Sequence, residues 1–151
     1  KNKISKALPK IKFEGRIQYI SNGKLRKKLH SQEKLLIDGC HSTISGKNLS
    51  DYLKSLGLQK YGIWSMMKNK DPSNFIKQFR GIFSKVYTIP ITNEKNSMSP
   101  NTLAKIANKH SIDAESVKNF DEALKIISTE KQKVICAFGS LYQCGNILNK
   151  N

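Results

Sequence analysis

An acidic residue and a histidine lie three positions apart where a short apolar stretch meets a helical pattern. Residues 35–37 (Leu-Leu-Ile) lead directly into Asp38, and His41 follows. A carboxylate can accept hydrogen bonds from the hydroxyl or amino groups of a ligand, and an imidazole can hold or move a proton. The same residue types also suit a tight turn followed by a helix cap. The local sequence therefore leaves two interpretations open, a ligand site and a capped turn.

The cysteines do not add a reactive site to this stretch. Cys40 precedes His41, but adjacent side chains in a turn rarely point at one another, so Cys40 is predicted to be a small buried hydrophobic residue. Cys136 and Cys144 form neither a CxxC pair nor a metal-ligand spacing. An odd number of cysteines without a secretion signal favours a reducing compartment, and the cytoplasm is the predicted location.

The familiar nucleotide-binding loops are absent from the sequence. No G-x-G-x-x-G motif is present, which argues against a Rossmann dinucleotide site. A Walker A loop requires G-x-x-x-x-G-K-[ST], but Asn48 follows Gly46 and Lys47, and His41 occupies the position of the first glycine. We interpret this segment as a helix start and not as a phosphate cradle.

The elements that position these residues follow from the hydrophobic pattern. Strands are predicted at 16–21, 35–37, 61–67, 85–91 and 133–138, and a basic loop at 24–34. Helices are predicted at 49–56 and from starts at Asp71, Ser99, Asp121 and Ser140. Because strands alternate with helices, the predicted fold class is α/β, with a mostly parallel sheet of about five to six strands flanked by helices.

Polar residues follow the ends of these predicted strands. Asp38 and His41 come after one strand, Ser140 after another, and residues 68–71 and 92–93 after two more. In open parallel sheets, ligands bind beyond the carboxyl ends of the strands, which all lie at one edge. This position favours a functional role for Asp38 over a role in the turn alone.

The composition excludes several classes of function. The chain has 151 residues, enough for one domain with a sizeable core, and a mean hydropathy of −0.50. No apolar run approaches the roughly 20 residues of a membrane span, so no membrane partner is predicted.

The formal net charge of +16 would attract polyanions, but it does not predict specific DNA recognition. Only Arg16, Arg26 and Arg80 are arginines among the 27 basic residues. Arginine is the usual reader of base edges, so the lysines are interpreted as a solvated surface without a specific nucleic-acid partner.

Four motifs in a fixed order resemble those of one known family. Residues 13–18 (FEGRIQ) are similar to W-P-G-R-L-Q, and residues 36–42 (LIDGCHS) to L-L-D-G-A-H-N. Residues 67–71 (MKNKD) are similar to a segment ending in D-K-D, and residues 138–142 (FGSLY) contain G-S-L-Y. Together they resemble the C-terminal domain of folylpolyglutamate synthase/dihydrofolate synthase, which is a Rossmann-like domain of the Mur ligase family.

The chain departs from the family pattern at several positions. Glu14 and Thr43 each stand where the family pattern has a proline. Asn69 stands where it has the first aspartate of D-K-D. Ser42 stands in place of asparagine, and a hydroxyl cannot offer both an amide donor and a carbonyl acceptor. The interval between Arg16 and Asp38 is also longer than in the family pattern.

The resemblance implies an ATP-dependent ligase that adds L-glutamate to a folate or pteroate carboxylate through an acyl phosphate. It implies that residues 1–12 are a linker from a central ATPase domain that holds most of the ATP and magnesium, and that 13–151 are a single C-terminal domain. A monomer is expected. Two alternatives stay open at this point, the C-terminal domain of a peptidoglycan Mur-type ligase and a non-enzymatic basic α/β module that binds nucleic acid.

The resemblance also assigns roles to individual residues. Arg16 and Asp38 correspond to nucleotide contacts, since a guanidinium fork suits phosphate oxygens and a carboxylate suits ribose hydroxyls. His41 corresponds to a catalytic or glutamate-orienting histidine, with a structural hydrogen bond as an alternative role, and Ser42 and Ser140 correspond to substrate contacts. For Ser140, helix capping is an alternative role.

Overall fold

A computed structural model of the chain describes residues 15–151. The predicted linker at 1–12, and Phe13 and Glu14 of the first motif, lie outside the described residues.

Six strands within the described residues form one sheet, and five of them are parallel. The strands are β1 (Gln18–Tyr19), β2 (Glu33–Asp38), β3 (Gln59–Trp64), β4 (Lys85–Thr88), β5 (Ala114–Ser116) and β6 (Lys133–Phe138). Their spatial order is β1-β2-β6-β3-β4-β5, and β1 pairs antiparallel with β2. This confirms the predicted fold class, a mostly parallel sheet flanked by helices. The ends of the five parallel strands form one rim of the sheet, the carboxyl edge, and their starts form the amino edge.

Helices connect the strands and cover both faces of the sheet. They are α1 (Gly23–Lys27), α2 (Thr43–Lys54), α3 (Pro72–Ile76), α4 (Pro100–Lys109), α5 (Phe120–Ile127) and α6 (Leu141–Lys150), with a 3-10 turn at Lys77–Phe79. Residues of α2, α3 and α4 pack in one hydrophobic cluster, and residues of α1, α5 and α6 pack in another. Successive residues of β2 divide between the clusters, Leu36 in the first and Leu35 and Ile37 in the second, because side chains alternate along a strand.

An aromatic group fills the core beneath the carboxyl edge. Trp64 stacks on Phe75 and Phe138 at ring-centroid distances of 6.1 and 6.4 Å. Phe79 and Phe83 extend the group, with centroids 4.8 and 5.2 Å from that of Phe138. The group ties β3 and β6 to α3 immediately below the strand ends that carry the polar residues.

The amino edge contains a buried ion pair. Glu33 and Lys133 are opposite each other on β2 and β6, and both are at most 2% exposed. The Lys133 ammonium lies 3.6 Å from Glu33 Oε1 and donates to the Ile127 carbonyl and the Thr129 hydroxyl. Glu33 in turn accepts from Ser128 Oγ and from the backbone N–H groups of His30 and Thr129. Both buried charges therefore have hydrogen-bond partners within the protein.

Several local predictions differ from the structure. The loop predicted at 24–34 contains α1 and the start of β2, because Leu25 and Leu29 are buried anchors at 1% and 8% exposure. The strand predicted at 16–21 is only two residues long, since residues 15–17 form a turn. The strands predicted at 61–67 and 85–91 lie at 59–64 and 85–88, and the sequence pattern did not reveal the three-residue β5.

Four of the five predicted helix starts lie within one residue of the observed ones, whereas the helix predicted at 49–56 lies at Thr43–Lys54 and so begins six residues earlier. Asp71 caps α3 with Pro72 in the first turn, and Ser140 caps α6, both as predicted. Ser99 precedes α4 without a capping hydrogen bond, and α5 is capped by Asn119 and not by Asp121. The helix that Asp71 caps ends at Ile76, where the chain tightens into the 3-10 turn.

Candidate functional site

Asp38 ends β2 at the carboxyl edge, and its carboxylate is buried and well bonded. The residue is 4% exposed. Its Oδ1 accepts from the Cys40 N–H at 2.8 Å, and its Oδ2 accepts from the Ile17 N–H at 2.9 Å. Arg16 Nη1 donates to Oδ1 at 3.5 Å. Asp38 therefore joins its own turn to a segment that is more than twenty positions earlier in the chain.

That segment, residues 15–18, is called the arginine turn here. The Gly39 N–H donates to the Gly15 carbonyl at 2.6 Å, and the Gly15 N–H donates to Gln18 Oε1 at 2.8 Å. Gly15 and Ile17 both have positive φ, +72° and +41°. The Arg16 side chain keeps 40% of its surface exposed. The structure thus brings together Arg16 and Asp38, the two residues predicted to contact a nucleotide, and leaves the guanidinium accessible.

His41 is half-buried between the end of β2 and the start of α2. Its Nδ1 lies 3.0 Å from the Gly39 carbonyl, which can only accept, so Nδ1 carries a proton. In the neutral ring, Nε2 then holds the free lone pair. The predicted catalytic histidine is consequently held in the tautomer that can accept a proton through Nε2.

Ser42 is exposed and caps α2. Its Oγ accepts from the Ser45 N–H at 3.2 Å, while Ser45 Oγ accepts from the Ser42 N–H at 3.1 Å. This reciprocal pair satisfies two of the N–H groups that a helix start leaves unbonded. The Ser42 hydroxyl is therefore already used in capping. The contact between Ser42 and substrate stays a prediction.

Ser140 begins α6 beside these residues, but its side chain is buried. The residue is 3% exposed, and its Oγ accepts from the Gln143 N–H at 3.4 Å. Gly139, just before it, has φ +107°, and a Cβ there would lie 2.1 Å from the Ser65 carbonyl. The turn from β6 into α6 therefore passes directly over the end of β3, where only glycine fits.

The turn that follows β2 packs against the start of α6, and this packing also depends on a glycine. A Cβ at Gly39 would lie 2.2 Å from Leu141 Cδ2. Leu141 also approaches Gly15, within 3.5 Å of the position of its ideal Cβ. The arginine turn, the end of β2 and the start of α6 thus meet at one point of the carboxyl edge.

Two cations and an acid follow β3 at the same edge. Lys68 is exposed and Lys70 is half-buried, and the Lys70 N–H donates to the Met67 carbonyl at 3.2 Å. Asp71 accepts from the Asn74 N–H at 3.1 Å, so its carboxylate serves as the cap of α3. The edge therefore offers guanidinium and ammonium groups, while its acids are engaged within the protein.

The three cysteines are buried and free, as predicted for Cys40. Burial and the nearby Asp38 carboxylate raise the pKa of the Cys40 thiol well above its ordinary value. Burial, with a smaller effect of Asp38, raises the pKa of Cys144 to about 12. The thiolate is the reactive form of cysteine, so these thiols are chemically inert at neutral pH.

Some polar residues of this edge carry little or no signal in the amino-acid sequence. The only signal for Gln18 was its place in the FEGRIQ motif, because its bond to Gly15 cannot be inferred from hydrophobic periodicity. Trp64 Nε1, Ser65 Oγ and Gln143 Oε1 are buried and find no hydrogen-bond partner within residues 15–151. Large apolar side chains are also exposed here, Ile44 by 77% and Tyr142 by 62%.

Two further properties concern the described residues as a whole. In residues 15–151, no three side chains of histidine, cysteine, aspartate or glutamate are grouped to hold a metal ion. Over the same range, every helix is too short or too polar to cross a membrane.

Comparison with known families and structures gives one family and one fold. Residues 19–150 match the family described as "Dihydrofolate synthetase, C-terminal domain". A search of curated proteins found no match.

Solved structures match nearly the whole chain. Folylpolyglutamate synthase of Mycobacterium tuberculosis, complexed with ADP and AMPPCP, has a TM-score of 0.77 at 15% identity, and the match covers 92% of this chain and 32% of that one. FolC of Escherichia coli, in complex with DHPP and ADP, has a TM-score of 0.71 at 13% identity over 91% and 31% of the chains.

The bifunctional folylpolyglutamate synthase/dihydrofolate synthase of Yersinia pestis, with Mn, AMPPNP and L-glutamate bound, has a TM-score of 0.72 at 18% identity over 91% and 31% of the chains. The chain thus spans about a third of the length of these structures.

Proposed function

This chain belongs to the family of dihydrofolate synthetase C-terminal domains, and from that premise we propose that it is the C-terminal part of an ATP-dependent ligase that joins L-glutamate to a folate or pteroate carboxylate. In this proposal its carboxyl edge contributes to the nucleotide and glutamate sites. The peptidoglycan alternative loses support, because the matched family is the folate one.

One observation carries the proposal. An accessible guanidinium (Arg16), a buried carboxylate (Asp38) and a histidine with a free Nε2 (His41) lie together at the edge where parallel α/β sheets bind ligands. Solved structures that share the fold are complexed with ADP, with AMPPNP and with L-glutamate.

The residues at this edge suit the anionic part of a nucleotide better than a metal ion. The Arg16 fork matches phosphate oxygens. Three groups of this chain already donate to the Asp38 carboxylate, and in this proposal it also accepts from a ribose hydroxyl. Asp38 is paired with a cation and Asp71 caps a helix, so neither fits a magnesium ligand. We propose that a central ATPase domain of the same enzyme, joined through residues 1–12, holds the metal and most of the ATP.

The reaction proposed consists of two steps. The γ-phosphoryl group of ATP passes to a carboxylate oxygen of the pteroate or folate, and ADP leaves. The glutamate amine then forms a C–N bond with the acyl carbon, the C–O bond to phosphate breaks, and the amine loses a proton. In this chain, Arg16 would stabilise phosphate charge, and His41 Nε2 would accept the proton or orient the amine. Ser42 and Ser140 would lie on the glutamate side.

Two measurements test the proposal. The purified chain should bind ADP without releasing phosphate from ATP in the presence of glutamate and dihydropteroate or tetrahydrofolate, because none of its residues forms a P-loop. Joined to a central ATPase domain, it should support ligation, and Arg16→Gln should lower that rate. Robust turnover by the 151 residues alone, or full ligation with Arg16→Gln, would refute the assignment.

A further inference from the structure

The arginine turn contains a backbone conformation that isoleucine rarely adopts. Ile17 has φ +41°, in the left-handed region that disfavours β-branched side chains. Such residues persist only where surrounding contacts determine the conformation, and they concentrate at ligand clamps and active sites. The contacts that hold Ile17 are therefore informative about what the turn does.

Hydrogen bonds from two directions hold the turn. The Ile17 N–H donates to Asp38 Oδ2 at 2.9 Å, which fastens the turn to the end of β2. The Gly15 N–H donates to Gln18 Oε1 at 2.8 Å, which closes the turn on itself. Gln18 is also fixed from the other side, because it pairs with Ile37 in the sheet. Arg16 lies between these two attachments.

These contacts hold the Arg16 side chain without using all of its hydrogen-bond donors. A single nitrogen, Nη1, contacts Asp38, at 3.5 Å, and 40% of the side-chain surface is exposed. A guanidinium has five N–H donors, so the remaining donors are available to a ligand. Fixing a long side chain before binding reduces the entropy lost when the ligand arrives.

We propose that Gln18, Ile17 and Asp38 are positioning residues for Arg16. They hold the arginine turn in its strained form so that the guanidinium faces the carboxyl edge in the orientation that receives a nucleotide phosphate. This inference rests on the proposed function, in which Arg16 binds that phosphate. It assigns to Gln18 a role that acts through its hydrogen bond to the Gly15 N–H and not through a contact of its own with the nucleotide.

The test is an NMR titration of the chain with ADP, observed at the arginine Nε–H groups. The chain has only Arg16, Arg26 and Arg80, so their signals are readily assigned. Gln18→Leu removes the acceptor for the Gly15 N–H and should shift the Arg16 Nε–H signal and weaken ADP binding by about threefold to tenfold. Gln18→Glu keeps an acceptor for the Gly15 N–H and should bring the Arg16 signal back toward that of the wild type, with a smaller recovery of ADP affinity because its negative charge opposes the phosphate.

The matched control is Gln59→Leu. Gln59 also lies in a strand, but at the amino edge, where its amide donates to Tyr61 and Ser84. It should leave the Arg16 signal and ADP affinity unchanged. Ile17→Gly provides a second variant, since glycine adopts φ +41° freely and its loosened turn should weaken ADP binding without lowering the melting temperature.

The outcomes distinguish the positioning role of Gln18 and Ile17 from the proposed nucleotide contact of Arg16. If Gln18→Leu or Ile17→Gly lowers only the melting temperature and leaves the Arg16 signal and ADP affinity as in wild type, the positioning role is refuted. If ADP fails to move the Arg16 signal of the wild-type chain, the proposed nucleotide contact is refuted instead. In that case the effect of Gln18→Leu on the Arg16 signal without ligand still decides whether Gln18 holds the arginine.

Discussion

Within the described residues, buried polar groups are hydrogen-bonded at the amino edge of the sheet, whereas several at the carboxyl edge have no partner. At the amino edge, Glu33 and Lys133 are buried as charges, and backbone and side-chain groups satisfy both. At the carboxyl edge, Trp64 Nε1, Ser65 Oγ and Gln143 Oε1 have no partner within the described part of the chain. A buried polar group without a hydrogen bond lowers the free energy of unfolding by about 1–3 kcal/mol. Hydrogen bonding therefore stabilises the carboxyl edge less than the amino edge.

The exposed apolar side chains follow the same division. Four of them are at the carboxyl edge, each at least 40% exposed: Ile17 in the arginine turn, Ile44 at the start of α2, and Leu141 and Tyr142 at the start of α6. Ile126, at 43%, lies in the last turn of α5, which leads toward the amino edge. One edge of this domain therefore favours stability, and the other keeps the polar and apolar surface that binding uses. Four predictions test this difference.

The largest effect should come from removing one charge at the amino edge. Lys133→Met leaves the Glu33 carboxylate buried without its cation, and the free energy of unfolding should fall by about 3–5 kcal/mol. Urea denaturation followed by circular dichroism measures it. The double variant Glu33→Leu with Lys133→Met should recover most of the loss, because well-packed apolar residues can replace a buried pair. A double variant as unstable as the single one would contradict this account.

A smaller effect, on activity, is expected at the carboxyl edge. In a polypeptide that joins this chain to a central ATPase domain, Asp38→Ala should lower the ligation rate roughly 10- to 100-fold, since it removes charge-assisted hydrogen bonds of about 1.5–3 kcal/mol. Ser42→Ala should cost less than about tenfold in rate and about 1 kcal/mol in stability through loss of the cap.

Melting temperatures of both variants must accompany these rates, because Asp38 also fastens the arginine turn. If the Asp38 variant loses activity only in proportion to unfolding, Asp38 is a structural turn residue.

Serine-to-alanine substitutions at the two edges form a matched pair. Ser128→Ala at the amino edge removes the hydroxyl that donates to Glu33 and should cost about 1.5–3 kcal/mol. Ser65→Ala at the carboxyl edge removes a buried hydroxyl without a described partner and should be neutral or slightly stabilising. Thermal unfolding of both variants gives the comparison, and equal losses would show that Ser65 has a partner.

The smallest effect concerns pH. Although burial opposes it, hydrogen bonds from Ser128 and from the His30 and Thr129 backbone, with the Lys133 charge, hold the pKa of Glu33 below its ordinary value of 4.5. A lowered folded-state pKa contributes stability that is present above the unfolded pKa and lost as the pH falls through the folded value. The stability difference between wild type and Glu33→Gln should therefore shrink as the pH falls from neutral to below 4.5. A difference that stays constant would exclude this linkage.

The sequence predicted the fold, and the shared edge on which the candidate residues lie, because both depend on local patterns. Alternating strands and helices give an α/β sheet, and parallel strands place Asp38, His41 and Ser140 at one edge. The family resemblance added Arg16, which the structure then brings to Asp38.

What the sequence did not reveal depends on contacts between distant residues. Glu33 meets Ser128 and Thr129 more than ninety positions away, and no periodicity records that contact. The helix α1 was missed because its five residues are held by the buried Leu25 and by Asn151, to whose side chain the Leu25 N–H donates. The three residues of β5 are too few for a recognisable alternation.

The aromatic group beneath the carboxyl edge contains a tryptophan, so the intrinsic fluorescence of the chain can report on that edge. Trp64 is the single tryptophan of the sequence, it is fully buried, and its indole edge lies beside Gly139. We therefore expect tryptophan fluorescence from one buried site, with emission shifted toward the blue by its apolar surroundings. Any rearrangement of the turn into α6 changes the surroundings of that indole, so ligand titrations and unfolding experiments can be followed optically without a label.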